Sequence, residues 1–214
     1  MHVTKLGHCA LVIEENGAKL LTDPGMFTTA SQEILTGVNG ILITHEHEDH
    51  FHLPSLKIVL KHNPRASVVC NSGVAVLLSA EGIAHTIVAH QGHTEVEGIS
   101  IEGFGTDHAV IHSSWPLVAN TGFFIGGRLW YPGDAFFNPG MKPDILALPV
   151  GGPWMKISEA VDYAIELSPK TVIPVHDAVL SESGIAIHHR IVKTILESNG
   201  IQFISTEIGK TYNF

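Results

Sequence analysis

The chain has 214 residues, 44% of them hydrophobic and only 15% charged, which fits a globular domain with a sizeable buried core and excludes a disordered one. Its 12 Lys and Arg against 21 Asp and Glu leave a formal net charge of -9, with no basic cluster of the kind that displaces counterions from nucleic-acid phosphates. No apolar run approaches the ~18 residues of a membrane span, and residues 1–20 carry no export-type apolar stretch. The expectation is therefore a cytoplasmic protein acting on a small molecule, with no nucleic-acid or membrane partner.

In chain order, strands are predicted over 3–6, 10–13 and 19–22, the last two joined at Glu15-Asn16-Gly17, where Asn-Gly favours a hairpin turn. Residues 40–44 form a continuous apolar run, as expected of a strand buried on both faces. A helix follows over 54–61, because Leu56, Val59 and Leu60 recur at helical spacing, and Pro64 prevents its continuation. A strand is read over 67–70, a helix over 74–79 ended by Gly82, and a strand over 99–104. The later chain repeats the theme with strands over 121–125, 128–131, 145–148, 171–175 and 202–205. Helices are read over 158–167, capped by Ser158, and over 187–198. Strands interleaved with helices point to a layered α/β domain with mixed sheets, one domain over 1–214 made of two similar halves divided near Gly105. Cys9 and Cys70 sit in apolar stretches and read as two reduced core thiols.

The chemistry concentrates after the strand at 40–44. His45, His47, Asp49 and His50 fall in a loop directly after it, and imidazole nitrogens with a carboxylate suit zinc, manganese or iron(II). A tight turn there can aim His45 and His47 at one ion and leave Asp49 and His50 for a second, with Glu46 and Glu48 pointing away. Two ions need more donors, and three other strand ends supply metal-capable side chains: Asp107-His108, Asp134 and His176. Strand ends are where α/β sheets build their sites.

With these residues in view, the chain resembles the metallo-β-lactamase superfamily along essentially its whole length. The His-x-His-x-Asp-His signature is met by His45, His47, Asp49 and His50, and the later ligands of that family look like His108, Asp134 and His176. His112 competes with His108 in the same loop, and His108 is preferred as nearer the strand end. The opening Leu6-Gly7-His8-Cys9-Ala10, the run Thr22-Asp23-Pro24 and the stretch 171–177 resemble the compact branch that includes ascorbate-6-phosphate lactonase-like proteins. The resemblance implies a four-layer αβ/βα sandwich of two mixed sheets flanked by helices, with the site at one edge. It also implies a binuclear metal-dependent hydrolase with two divalent transition-metal ions, zinc or manganese first and iron as a further fit. His45, His47 and His108 would hold one ion, Asp49, His50 and His176 the other, and Asp134 would bridge. A hydroxide between the ions would attack a small ester, lactone or phosphoester, with Asp49 accepting a proton during turnover. The related flavodiiron oxygen reductases usually carry Glu where His47 stands.

Two other functions share these residues. A single iron in the same ligand set could oxidise a thiol with dioxygen. A metal-stabilised binding module is the non-enzymatic reading, although structural zinc sites are usually closed and four-coordinate. His8 is left between a role behind the ligands, a substrate-facing role and a structural one. Trp154 and Met155 are read as pocket wall or core, and His62, His85, His90, His93, His188 and His189 as surface residues.

Overall fold

The first hairpin shows how local sequence becomes sheet. In the computed structural model, which describes residues 1–214, β1 (His2–Gly7), β2 (Ala10–Glu15) and β3 (Ala18–Thr22) form an antiparallel meander. Asn16 and Gly17 turn it with φ of 52° and 85°, the left-handed pair that a tight hairpin needs. After a 3-10 turn at Met26–Thr28 and the short α1 (Thr29–Gln32), the same sheet grows by parallel strands. These are β4 (Gly40–Ile43), β5 (Ser67–Cys70) and β6 (Thr86–Ile87), with α2 (Leu53–His62) and α3 (Ser72–Ala80) as crossovers.

The second sheet repeats the plan. β7 (His93–Val96), β8 (Ile99–Phe104), β9 (Gly122–Ile125) and β10 (Leu129–Tyr131) are antiparallel, and β11 (Ile145–Pro149), β12 (Thr171–Val175) and β13 (Gln202–Phe203) continue in parallel. The crossovers are α4 (Ile157–Leu167) and α5 (Glu182–Ser198). The last strand, β14 (Thr211–Asn213), returns to pair with β1.

Alternation along each strand explains the layers. In β4, Leu42 faces a core between the sheets with Leu11, Leu20, Phe123 and Ile173, while Ile41 and Ile43 pack with Leu56, Val59 and Leu78 of α2 and α3. In the second sheet Trp130, Leu146 and Val172 face Ala160, Ala164 and Leu196 of α4 and α5. Both helix layers thus cover outer sheet faces, giving the four-layer αβ/βα sandwich. No helix is long and apolar enough to cross a membrane.

The strand arrangement also gathers the loops. β8 and β10 run the same way because β9 lies antiparallel between them, and β10, β11 and β12 are parallel. β3 and β4 are likewise parallel. The residues after β8, β10 and β12 therefore emerge together, as do those after β3 and β4.

Several boundaries differ from the sequence reading. The chain passes between sheets after Ile87 and before His93, ahead of Gly105, and the edge strands β6 and β7 on either side are short, largely exposed and without the apolar run that marks a strand in sequence. β14 was missed for the same reason. Ser158 lies inside α4 and does not cap it: the cap is Lys156, whose N–H donates to Glu159 Oε2 at 2.7 Å. α5 begins at Glu182, since Ser181 Oγ accepts from Gly184 N–H. His188 and His189 are drawn inward: His188 donates to the Val150 carbonyl, and His189 Nε2 lies 3.3 Å from Asp177.

One buried ion pair ties β1 to the loop after β12. Lys5 Nζ donates to Asp177 Oδ2 at 2.6 Å and to the Pro174 carbonyl at 2.9 Å. Burial pushes the Asp177 carboxyl up, but the nearby His189 and Lys5 outweigh it and bring it down to about 2. Lys5→Met leaves Asp177 buried without its cation and is expected to cost about 3–5 kcal/mol, measured by urea unfolding, with most of the loss recovered on adding Asp177→Leu. A depressed carboxylate stabilises above its unfolded pKa, so the contribution of Asp177 to the parent's stability is full above about pH 4 and is lost as the pH falls through about 2.

Candidate metal centre

Five side chains meet where these strand ends converge. His45 and His50 follow β4, His108 follows β8, Asp134 follows β10 and His176 follows β12, and all five are buried. His47 and Asp49 complete the loop after β4 and stay partly open, with 24% of the Asp49 side chain exposed. The donor atoms of His45, His47 and His108 lie within 4.8 Å of one another, as do those of His45, His50 and Asp134. His176 Nε2 stands 2.8 Å from Asp134 Oδ2 and 3.5 Å from Asp49 Oδ2. Asp134 sits centrally, with Oδ1 3.1 Å from His50 Nε2 and Oδ2 3.4 Å from His108 Nε2.

Whether this cluster suits a metal can be tested on its hydrogen bonds. His45 Nε2, His50 Nε2, His108 Nε2, His176 Nε2 and Asp134 Oδ1 are buried yet make none, despite their short separations. Buried polar atoms without partners are costly, and a cation is what lone pairs aimed at a common space lack. The far sides of three of these rings are occupied, while His176 Nδ1 has no partner either. His50 Nδ1 donates to Asp23 Oδ2 at 2.7 Å, His108 Nδ1 to the Ala109 carbonyl, and His45 Nδ1 to Thr44 Oγ1, whose own proton goes to Asp23. That pattern fixes the tautomer with Nε2 as the free lone pair. The residues fit the two ions that the sequence resemblance implies.

Charge points the same way. Burial disfavours a charged Asp134, yet the rings of His50 and His176 hold its carboxyl well below the usual range. Burial and the neighbouring His50 ring keep His45 well below its ordinary value, so it is neutral at pH 7, as a ligand must be. Burial works against a charged His50 too, but Asp134 and Asp23 outweigh it and raise that ring well above its usual value. The carboxylates thus draw a proton to a place that a metal cation would take.

The loop sequences are shaped for this approach. A Cβ on Gly25 would stand 1.8 Å from the Asp49 carbonyl oxygen, so only glycine lets 24–26 lie against the ligand loop. Gly133, at φ 65°, would place a Cβ 2.3 Å from Asn120 Oδ1, the oxygen that accepts from Asp134 N–H.

Three residues gain roles that the sequence left open or missed. Ala178 N–H donates to His8 Nδ1 at 3.3 Å, so His8 carries its proton on Nε2 and donates it to Asp49 Oδ2 at 3.2 Å. Trp154 Nε1 donates to Asp134 Oδ2 at 2.7 Å, while Met155 packs with the α4–α5 core. Asp23 collects Thr44 N–H and Oγ1, His50 Nδ1 and Tyr131 Oη. Its signal was Thr22-Asp23-Pro24 at the end of a strand, which suggested a family branch but not this contact. Both cysteines are buried and free, and Cys9 Sγ lies within 4.8 Å of donor atoms of His8, His50 and His176, at the floor of the cluster. His112 is exposed and engages Ser114, away from the cluster. Glu48, expected to point away, is exposed and lines the mouth.

Two measurements follow from this geometry. His108→Ala is expected to lose bound metal and His112→Ala to retain it, read by elemental analysis; the reverse would give the ligand role to His112. Asp23→Asn keeps the shape but removes the charge behind His50, and is expected to weaken metal binding about 10–100-fold in a chelator competition.

Comparison with known proteins identifies the family. The family described as beta-lactamase superfamily domain matches residues 2–176. Rv0786c of Mycobacterium tuberculosis is 36% identical over 195 residues, covering 88% of this chain and 90% of that protein. A UPF0173 metal-dependent hydrolase of Caldivirga maquilingensis is 32% identical, covering 80% of this chain and 79% of that one. In fold, the chain is similar to Igni18, a metallo hydrolase of Ignicoccus hospitalis, with a TM-score of 0.77 at 23% identity, covering 100% of this chain and 98% of that one. The chain belongs to the beta-lactamase superfamily and, within it, to the metal-dependent hydrolases of metallo-β-lactamase fold.

Proposed function

We propose that the protein is a two-metal hydrolase of small ester, lactone or phosphoester substrates, with zinc or manganese as the ions that suit its mixed imidazole and carboxylate donors. In this reading His45, His47 and His108 would hold one ion, Asp49, His50 and His176 would hold the other, and Asp134 would serve both. The observation that carries it is the set of buried donor atoms without hydrogen-bond partners around Asp134. Bound there, the ions would supply a water activated near neutrality and polarisation of the scissile group's oxygen.

The chain's own residues do the rest. Trp154 Nε1 fixes Asp134 Oδ2, which also faces His108 and His176, and leaves Oδ1 facing His50. Asp49 is held ionised because donation from His8, with His50 beside it, outweighs burial and brings its carboxyl down to about 2. As a partly exposed carboxylate at the mouth, Asp49 can meet the substrate and take up a proton during turnover, while His8 Nε2–H orients Oδ2. Phe27 and Trp154 line the mouth through which the substrate would approach.

Reconstituted protein is expected to hold two ions per chain. Asp134→Asn preserves an acceptor for Trp154 but deletes the central charge, and is expected to lose about 10²-fold in activity together with one of the two ions. Activity assays and elemental analysis on one sample check both. Near-normal turnover with two ions bound removes Asp134 from the site. A ceiling of one ion in the parent protein, with dioxygen uptake on a thiol, replaces the hydrolase reading by the iron-dependent oxidative one.

A further inference from the structure

The mouth above the cluster is a cavity of about 300 Å³, and its walls are unlike its floor. Met26 and Phe27 reach it from the segment after β3, Ile111 and Trp115 from the loop after β8, and Val179 from the loop after β12. Four of these are left open to solvent: Met26 at 45%, Phe27 at 48%, Val179 at 47% and Trp115 at 61%. Large apolar side chains gathered on one exposed patch mark a binding surface. The apolar track continues past Trp115 into a second groove of about 340 Å³, which shares His108, Ile111 and Trp115 with the first and adds Val110 and Leu117.

The charged groups here are as telling. No Lys or Arg lines either cavity, whereas Glu48, Asp49 and Asp134 line the mouth. Two divalent cations at the floor would face these three carboxylates and Asp23 behind His50, which leaves no positive surplus for a phosphate dianion. Anion recognition in proteins ordinarily recruits Arg forks or Lys, and none lines the mouth or the groove.

We propose that the substrate is an uncharged carboxylic ester or lactone with an apolar arm, an acyl chain or an aromatic ring, lying on Phe27, Trp115 and Val179. This rests on the hydrolase reading above and narrows its substrate class; phosphorylated sugars are excluded from it. In the reaction, the oxygen of water adds to the acyl carbon and the acyl C–O bond breaks, its electron pair going to the alcohol oxygen. That oxygen takes one proton of the water, and the acid leaves ionised with its proton passing to solvent.

The binding half of the proposal is read without turnover. Adding 1-octanol to the protein is expected to shift tryptophan emission to the blue as Trp115 leaves water, and Trp115→Phe is expected to remove most of that shift. The catalytic half is read on metal-loaded protein with p-nitrophenyl acetate, butyrate and hexanoate beside p-nitrophenyl phosphate and bis(p-nitrophenyl) phosphate. On an open apolar wall, kcat/KM is expected to rise about tenfold or more from acetate to hexanoate, since a fully buried methylene is worth about fourfold. Phe27→Ala and Trp115→Ala are expected to lower that hexanoate-to-acetate ratio. A flat ester series with no octanol response overturns the proposal and leaves the hydrolase reading standing. So does turnover of either phosphate ester in preference to every carboxylic ester. No hydrolysis of any of these compounds by protein holding two ions overturns the hydrolase reading and this proposal with it.

Discussion

The site depends on one buried carboxylate that touches no substrate. Asp23 Oδ1 accepts Thr44 N–H at 2.8 Å, and Oδ2 receives Thr44 Oγ1, His50 Nδ1 and Tyr131 Oη at 2.7–2.8 Å. These bonds join the end of β3, the first residue after β4 and the end of β10, so a single charge sets the distance between the two sheets at the metal edge. A fully buried carboxylate is costly unless its lone pairs are satisfied, and here every donor comes from an element that also positions a ligand. Tyr131 Oη lies 2.8 Å from the Cys9 carbonyl as well, which extends the same network to the β1–β2 turn.

Around that centre the backbone is held in unusual conformations. His8, Asp23 and His176 all take positive φ, at 40°, 36° and 60°. None is a glycine, and such residues cost energy that surrounding structure must offset. The offsetting contacts are visible: His176 N–H donates to the His8 carbonyl at 3.1 Å, Lys5 holds Asp177 next to it, and the Asp23 carboxylate is bound by its donors. His8 and His176 clamp one another across the sheets, so candidate ligands from the two halves of the chain share one frame.

The proposed selectivity rests on the division between floor and wall. Buried polar donors without partners create a demand for cations at the floor. The half-open apolar side chains above gain most by covering themselves with something equally apolar. A net charge of -9 with no basic residue at the mouth adds a field that repels anions approaching from solution. Neutral, partly apolar molecules meet neither obstacle.

The sequence by itself determined the parts that depend on neighbours along the chain. The apolar runs of β2–β4, the Asn-Gly turn and the spacing of His45, His47, Asp49 and His50 are local patterns, and strand composition with ligand chemistry reads them directly. His108, Asp134 and His176 were legible as donors because each follows an apolar strand, and the family resemblance put them in one set. The tertiary structure decided what depends on contacts between distant residues. Tyr131 meets Asp23 across 108 positions and Ala178 meets His8 across 170, so neither the hub nor the tautomer of His8 leaves a periodic signal. The edge strands β6, β7 and β14 are formed by pairing to a neighbour and not by apolar content, which is why the sequence did not show them. The role of Trp154 was likewise undecided until Asp134 was placed within reach of its indole N–H, since an aromatic residue after a Gly-Gly-Pro turn packs equally well in a core or over a metal cluster.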